Sequence, residues 1–283
     1  MRLFGCFFVI AIHVCDGLPA QESAVERVAA SQQFHLRAIE RTGLLIPLYL
    51  YPADIHTNAA FNRVMELKRQ FPAVPFWFIA NPASGPGDAV DANYTKAIDR
   101  LIGSGCVVIG YLPTDYGRRT SEQVQKHLLA WKTMYPRVHG IFFDEMIYED
   151  TEVAVAHQVK LNALAREGGF WPTVANPGTS TPGRYFAAEA ADVIVIHESS
   201  QLPQEETLHG NYFGGNSDFA PHSRAVLLYG RPNPELDAIR MISRHARWVY
   251  ITHDTYTPND PAHSNPWDEL SVHLEAVCRV LAE

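Results

Sequence analysis

Eight short apolar runs, each followed by a more polar stretch, constrain the fold of this 283-residue chain more than any other feature. They begin at Leu44 (LLIPLYLYP), Val74 (VPFWFIANP), Cys106 (CVVIGYLPT), Val138 (VHGIFFDE), Trp171 (WPTVANPGT), Asp192 (DVIVIHESS), Arg224 (RAVLLYG) and Trp248 (WVYITHD). Their apolar residues are consecutive rather than alternate, the pattern of parallel strands covered by helices on both faces. Between them, AAFNRVMELKRQ, YTKAIDRLIGSG, SEQVQKHLLAWKTMYP and EVAVAHQVKLNALAREG read as amphipathic helices. A short GRYFAAEA, an irregular segment around 207–219, ELDAIRMISRHA and WDELSVHLEAVCRVLAE complete the alternation. Eight such units predict a single α/β domain, a (β/α)8 TIM barrel over residues 44–283. A doubly wound open sheet is disfavoured because no GxGxxG follows the first run.

Upstream, Arg2 precedes an apolar run from Leu3 to Cys15, and small residues end at Ala20. Residues 1–20 read as a secretory signal peptide, too short for a comfortable span, and 21–43 as a polar lead-in. Secretion to the extracellular space follows, with no membrane partner after cleavage. Cys106 and Cys278 then remain, too few for a disulfide framework, and both are expected as buried thiols. The net charge of -8 carries no basic stripe, so no nucleic-acid partner is expected. Hydrophobic residues make up 47% of the chain, ample for one large core, and a monomer is expected.

The strand ends are asymmetric. Where the runs stop they give Tyr51, Asn81, Tyr111, the Asp144–Glu145 pair, Asn176, His197 with Glu198, and His253 with Asp254. In barrels of this kind the C-terminal face holds the active site. Asp144, Glu145 and Glu198 are the candidate catalytic groups. Asp144 and Glu198 lie two strands apart, so their backbones should be roughly 9–10 Å apart and their carboxylates about 5–9 Å. That window spans both retaining and inverting glycosidase geometries. The structural alternative is a barrel-mouth ion pair with Arg118 or Arg119. Tyr51, Asn81, Ser84, Tyr111, Tyr116, Asn176, His253 and Asp254 are the candidate substrate-binding residues. Asn81 and Ser84 sit in NPASGPG, a turn that can shape a sugar subsite; no Lys-Ser/Thr follows it, so a phosphate cradle is disfavoured. Tyr49, Trp77, Tyr256 and Trp267 add aromatic surface near the strand ends. His197, His253, Asp254 and Asp144 could in principle hold a metal, but the histidines are scattered and no HxH follows the first strand. No metal and no cofactor are expected.

IPLYLYP, IANPASGPG, IGYLPTDYGRR, GIFFDE, ANPGT and HESS, in this order and at strand ends, together resemble the spherulin-4 family, also called spherulation-specific family 4 or glycoside hydrolase family 135. The resemblance runs from Ile46 to about Trp267. It implies a secreted (β/α)8 glycosidase, similar to fungal endo-acting α-1,4-N-acetylgalactosaminidases that cut galactosaminogalactan, with an amino-sugar polysaccharide as partner. The family's acidic pair falls on Asp144 and Glu145, and its later glutamate on Glu198. One scheme makes Asp144 nucleophile or base, Glu198 general acid and Glu145 a supporting acid. In the other, Asp144 orients a substrate 2-acetamido group that attacks, and Glu145 protonates the leaving oxygen. A non-catalytic glycan-binding barrel and a metal-dependent barrel hydrolase remain as alternatives. The carboxylates at the mouth, Asp115, Asp144, Glu145, Glu198, Asp254 and Asp260, face few cations beyond Arg118 and Arg119. That balance predicts attraction of ammonium-bearing sugars and none of uronans.

Overall fold

The computed structural model describes residues 41–283 apart from 57, 211–218 and 261–263. The signal-peptide expectation for 1–20, and most of the lead-in at 21–43, lie outside the described residues. The remainder alternates without exception: β1 (Gly43–Pro47), α1 (Ala59–Gln70), β2 (Phe76–Ala80), α2 (Ala92–Gly103), β3 (Val107–Pro113), α3 (Ser121–Met134), β4 (Gly140–Asp144) and α4 (Glu152–Glu167). It continues with β5 (Thr173–Ala175), α5 (Gly183–Ala187), β6 (Val193–Ser199), α6 (Glu205–Gly210), β7 (Arg224–Leu228), α7 (Leu236–His245), β8 (Trp248–Ile251) and α8 (Leu274–Ala282). All eight strands pair in parallel with their sequence neighbours, and β8 pairs with β1 to close the barrel. This is the (β/α)8 barrel expected from the runs. The segment read as irregular begins with α6, and residues 211–218 lie outside the described residues.

Double-sided burial explains the consecutive apolar positions. Ile141, Phe142 and Phe143 of β4 are at most 1% exposed, although they face alternate sides of the sheet. Each contributes about 2–3 kcal/mol of apolar transfer free energy. Helix starts are set by side chains: Asn58, Asp91 and Thr151 accept backbone N–H bonds at the N-caps of α1, α2 and α4. Thr120 and Gln123 form a reciprocal capping box at α3.

Two glycines mark where layers touch. A Cβ at Gly140 would lie 1.9 Å from the Pro172 carbonyl oxygen, so β4 and the start of β5 can approach only with glycine there. A Cβ at Gly110 would meet the buried Trp131 ring at 2.6 Å. That ring's indole N–H donates to the Tyr111 carbonyl at 3.0 Å, tying α3 to β3 just below the barrel mouth. Cys106 and Cys278 are both buried free thiols, as expected. No described helix is long and apolar enough to cross a membrane.

Candidate active site

The register of β3, β4 and β5 brings the central residues together. Pro113 pairs with Asp144, and Tyr111 with Phe142, whose rings stack at 6.2 Å. Asp144 shares the Phe142 face of the strand, so it points where Tyr111 points. The Tyr111 hydroxyl donates to Asp144 Oδ2 at 2.7 Å. Asn176 follows β5 immediately, and its N–H donates to the Phe143 carbonyl. Its side-chain Nδ2 donates to Asp144 Oδ1 at 2.9 Å and to Glu198 Oε2 at 2.7 Å. The amide cannot be turned over, because its Oδ1 already accepts the Gly178 N–H at 3.0 Å. Gly178 makes that tight turn with φ +67.

One nitrogen bridging two carboxylates limits how far apart the two oxygens it holds can be. Asp144 Oδ1 and Glu198 Oε2 are no farther apart than twice 2.9 Å. That lies at the near end of the window expected from strand spacing. It is compatible with the retaining separation of about 5–5.5 Å and short of the inverting range. A bulge between Val195 and His197 shifts the β6 register before Glu198 reaches the mouth. Such bulges re-aim side chains at barrel rims.

Glu145 leaves the strand. Its φ is +53, and its carbonyl accepts both the Thr114 hydroxyl at 2.8 Å and the Tyr116 N–H at 2.7 Å. The Thr114 hydroxyl also donates to the Asp144 carbonyl. The β3–α3 loop therefore holds the left-handed turn in place, which a carboxylate residue adopts only when its surroundings dictate it. The Glu145 charge is felt by Asp144, Tyr116 and Arg118.

The electrostatics separate the two bridged carboxyls. Burial, then the charge of Asp144, pushes the Glu198 carboxyl up to about 7, against the opposing donors Asn176 and Trp267. Burial also raises Asp144, but three donors favour its ionised form: the Tyr111 hydroxyl, the Glu145 N–H and the Asn176 amide. Two carboxyls in one desolvated site are thus driven toward different protonation states. Tyr49 is half-buried, packs edge-on against Tyr111 at 5.5 Å, and its hydroxyl is held strongly protonated by desolvation and by Asp144. Among the described residues, none of Asp144, Glu145 and Glu198 has a basic side chain at ion-pair distance. Asp192 shows the contrast. It pairs with Arg166 and accepts from the Thr173 N–H and hydroxyl, a fully satisfied structural carboxylate at the opposite end of the strands.

The other candidate residues fall in local networks. Tyr51 donates to Asp91 Oδ2 at 3.0 Å and accepts from Asn93, at the start of α2. Asn81 closes its own turn by accepting the Gly85 N–H, and Ser84 sits exposed in that turn with φ +48. Tyr116 is 42% exposed and packs edge-on against Tyr148. His253 lies 3.5 Å from Glu269, and the Asp254 carboxylate engages the Thr255 N–H and Asp268. The His197 ring is bonded to the Gln201 carbonyl at 2.8 Å. Among the described residues, no three His, Cys, Asp or Glu side chains are arranged to hold a metal ion.

Trp267 and Tyr49, read from the sequence only as aromatic surface near the strand ends, and Thr114, which was not a candidate, complete the site. Trp267 is buried, its carbonyl accepts the Tyr49 N–H at 2.7 Å, and its ring packs edge-on against Tyr229 at 5.9 Å. Tyr49 shares strand parity with Tyr51, a signal present in the sequence. Trp267 reaches Glu198 from the long connection after β8, which no local spacing reveals.

The sequence model of spherulation-specific family 4 matches residues 43–281. Spherulin-4 of Physarum polycephalum is 31% identical over 160 residues, covering 56% of this chain and 46% of that protein. The matched stretch is thus under half of that relative's length. Among solved structures, Sph3 of Aspergillus clavatus, crystallised in complex with GalNAc, aligns with a TM-score of 0.70 at 23% identity. The alignment covers 87% of this chain and 99% of that one. A putative fructose-1,6-biphosphate aldolase from Coccidioides immitis aligns at 0.50 and 13% identity, over 93% and 92% of the two chains. Both likenesses are of fold.

Proposed function

The chain belongs to spherulation-specific family 4, and from that premise we propose that it is a secreted, endo-acting glycoside hydrolase cleaving α-1,4-linked N-acetylgalactosamine or galactosamine polysaccharide. One observation carries the reading. Asn176 bridges two desolvated carboxyls that lack a basic partner among the described residues, and one of them holds its proton up to about 7. A structural pair would be neutralised, as Asp192 is by Arg166. A general acid needs a proton available near neutral pH, and its counterpart needs to be ionised.

Glu198 protonates the glycosidic oxygen as the bond from the anomeric carbon to that oxygen breaks. Asp144 attacks the anomeric carbon from the other face and forms a glycosyl ester. Glu198, now a carboxylate, takes a proton from water, which displaces Asp144 and returns both groups to their starting states. Asn176 holds the two carboxyls in register, and Tyr111 stabilises the Asp144 charge until attack. The separation bounded by Asn176 supports this double displacement over direct attack by water.

The amino sugar rests on family membership and on the GalNAc bound by the A. clavatus protein of the same fold. The second scheme, in which the sugar's own acetamido carbonyl attacks while Asp144 orients it, needs that group trans to the leaving oxygen. In an α-linked 2-acetamido galactoside the two are cis, which favours the carboxylate route. Fully de-N-acetylated polymer distinguishes the two, since only the carboxylate route cleaves it. The proposal itself is tested by incubating the protein with α-1,4-linked galactosamine polymer and measuring new reducing ends. Binding of the polymer without new ends would instead make the barrel a lectin.

A further inference from the structure

The loop after β3 has a second face. Its Tyr116 is tied to Glu145 at the cleft, but the neighbouring side chains line a separate depression of about 420 Å³ with the first two turns of α3. Asp115, Arg118, Arg119, Gln123, Lys126 and His127 form its walls. We propose that this depression is an anion subsite, taking an acidic substituent (a uronate carboxylate or a sulfate ester) of a glycan bound across the neighbouring cleft. The inference rests on the glycosidase reading for what the anion is attached to, not for the existence of the subsite.

The charge count is the first argument. Three cations meet one carboxylate, in a chain whose net charge is -8. Arg118 takes that carboxylate, bonding Asp115 at 2.5 Å. Among the described residues, neither Arg119 nor Lys126 has a carboxylate at ion-pair distance. Two uncompensated cations held together in one concavity focus a positive potential there.

The placement of Arg119 is the second. Its Nη1 lies 3.4 Å from His127 Nδ1 and 3.2 Å from Nε2. The in-plane directions of two imidazole nitrogens diverge, so one donor near both sits over the ring rather than in line with either. The guanidinium edge is thereby left with free donors, suited to a two-oxygen anion. Burial, then Arg119 and Lys126, keeps the imidazole from taking a further positive charge. Helix α3 is not the source of the site, because Thr120 and Gln123 already satisfy each other in its capping box. Gly85 of the β2–α2 loop lies close behind His127, a Cβ there coming 3.6 Å from its Nδ1.

Geometry then argues for a glycan. Tyr116 separates the two sites by only two residues from Arg118, so a sugar chain passing Tyr116 reaches the cations without leaving the surface. The volume is within the range of about 300–1,000 Å³ typical of small-ligand sites. This subsite runs against the expectation from sequence that uronans are not attracted. The mouth is acidic at its centre and cationic along its β3 side.

The test is calorimetric titration of the protein with a galacturonic acid oligomer, a neutral galactose oligomer of equal length and inorganic sulfate. The exposed Lys126→Ala and the milder Arg119→Gln serve as variants, each checked for an unchanged thermal melt. The acidic oligomer is expected to bind saturably and more tightly than either control. Each variant should weaken it about tenfold, the effect of losing one bond to a charged group, and added salt should weaken it further. Equal binding by both variants and wild type would overturn the proposal. So would no binding of the oligomer at all, while inorganic sulfate bound as tightly as the oligomer would overturn the assignment of the anion to a glycan. The readout needs no turnover, so a lack of hydrolysis leaves it standing, and a lack of binding leaves the chemistry at Asp144 and Glu198 untouched.

Discussion

Replacing Glu198 by Gln should abolish activity and stabilise the protein, and the stabilisation should depend on pH. In the fold the carboxyl is raised from its ordinary 4.5 to about 7. At 1.36 kcal/mol per unit, ionising it in the folded protein costs about 3 kcal/mol more than in the unfolded chain. The sign follows from proton occupancy. Between about 4.5 and 7 the folded state holds a proton that the unfolded state has released, so wild-type stability falls as pH rises through that window and levels off above it. Glutamine does not titrate, and its carbonyl oxygen can still accept from Asn176 and Trp267. The stability gap between variant and wild type should therefore widen by about 2–3 kcal/mol from pH 5 to pH 8. For a barrel of this size that is a relative rise in Tm of about 5–10 °C. Urea unfolding at the two pH values, with the hydrolysis rate beside it, measures both effects. The rate should drop by about 10²–10⁴. Parallel pH dependence in the two proteins would show that Glu198 is ionised throughout, and the reasoning would fail.

Other perturbations probe the same network. Asp144→Asn removes the second cause of the Glu198 shift, so the Glu198 carboxyl should titrate below about 7 in the variant by ¹³C NMR; an unmoved midpoint would contradict the coupling. Trp267→Phe deletes an N–H worth about 1 kcal/mol to the Glu198 carboxylate. The basic limb of kcat/KM should then move to higher pH by up to about one unit, and a profile that stays put would remove Trp267 from the site. Gly140→Ala places a Cβ 1.9 Å from the Pro172 oxygen and should cost at least about 3 kcal/mol in urea unfolding. Wild-type stability in that variant would contradict the β4–β5 register.

The barrel was legible because its physics is local. Strands buried on both faces must be apolar at consecutive positions, and the runs contain their strands, except that β1 starts one residue before its run, at Gly43. Asp144, Tyr111 and Asn176 were legible for a related reason, since polar residues at the mouth end of otherwise apolar runs have few places to point. Residues beyond the strand ends were harder, because their directions are set by partners distant in sequence. Glu145 turns left-handed because Thr114 and Tyr116, from the loop after the preceding strand, hold its carbonyl. Glu198 is re-aimed by a bulge whose position depends on pairing with β7. Trp267 meets Glu198 only through closure of the barrel. Tyr51, Asn81 and Asp254 have loop partners of their own, and no strand periodicity extends to them. The cations beside the mouth were read as two arginines; Lys126 and His127 join them only because α3 folds back along the β3 loop.

The account is tested most directly by following the anomeric proton signals of a short α-1,4-linked N-acetylgalactosamine oligomer in the presence of the protein. A new reducing end that forms first as the α-anomer and then mutarotates is the expected result, as the close approach of Asp144 and Glu198 across Asn176 requires. A β-anomer formed first, or no new reducing end, would contradict it.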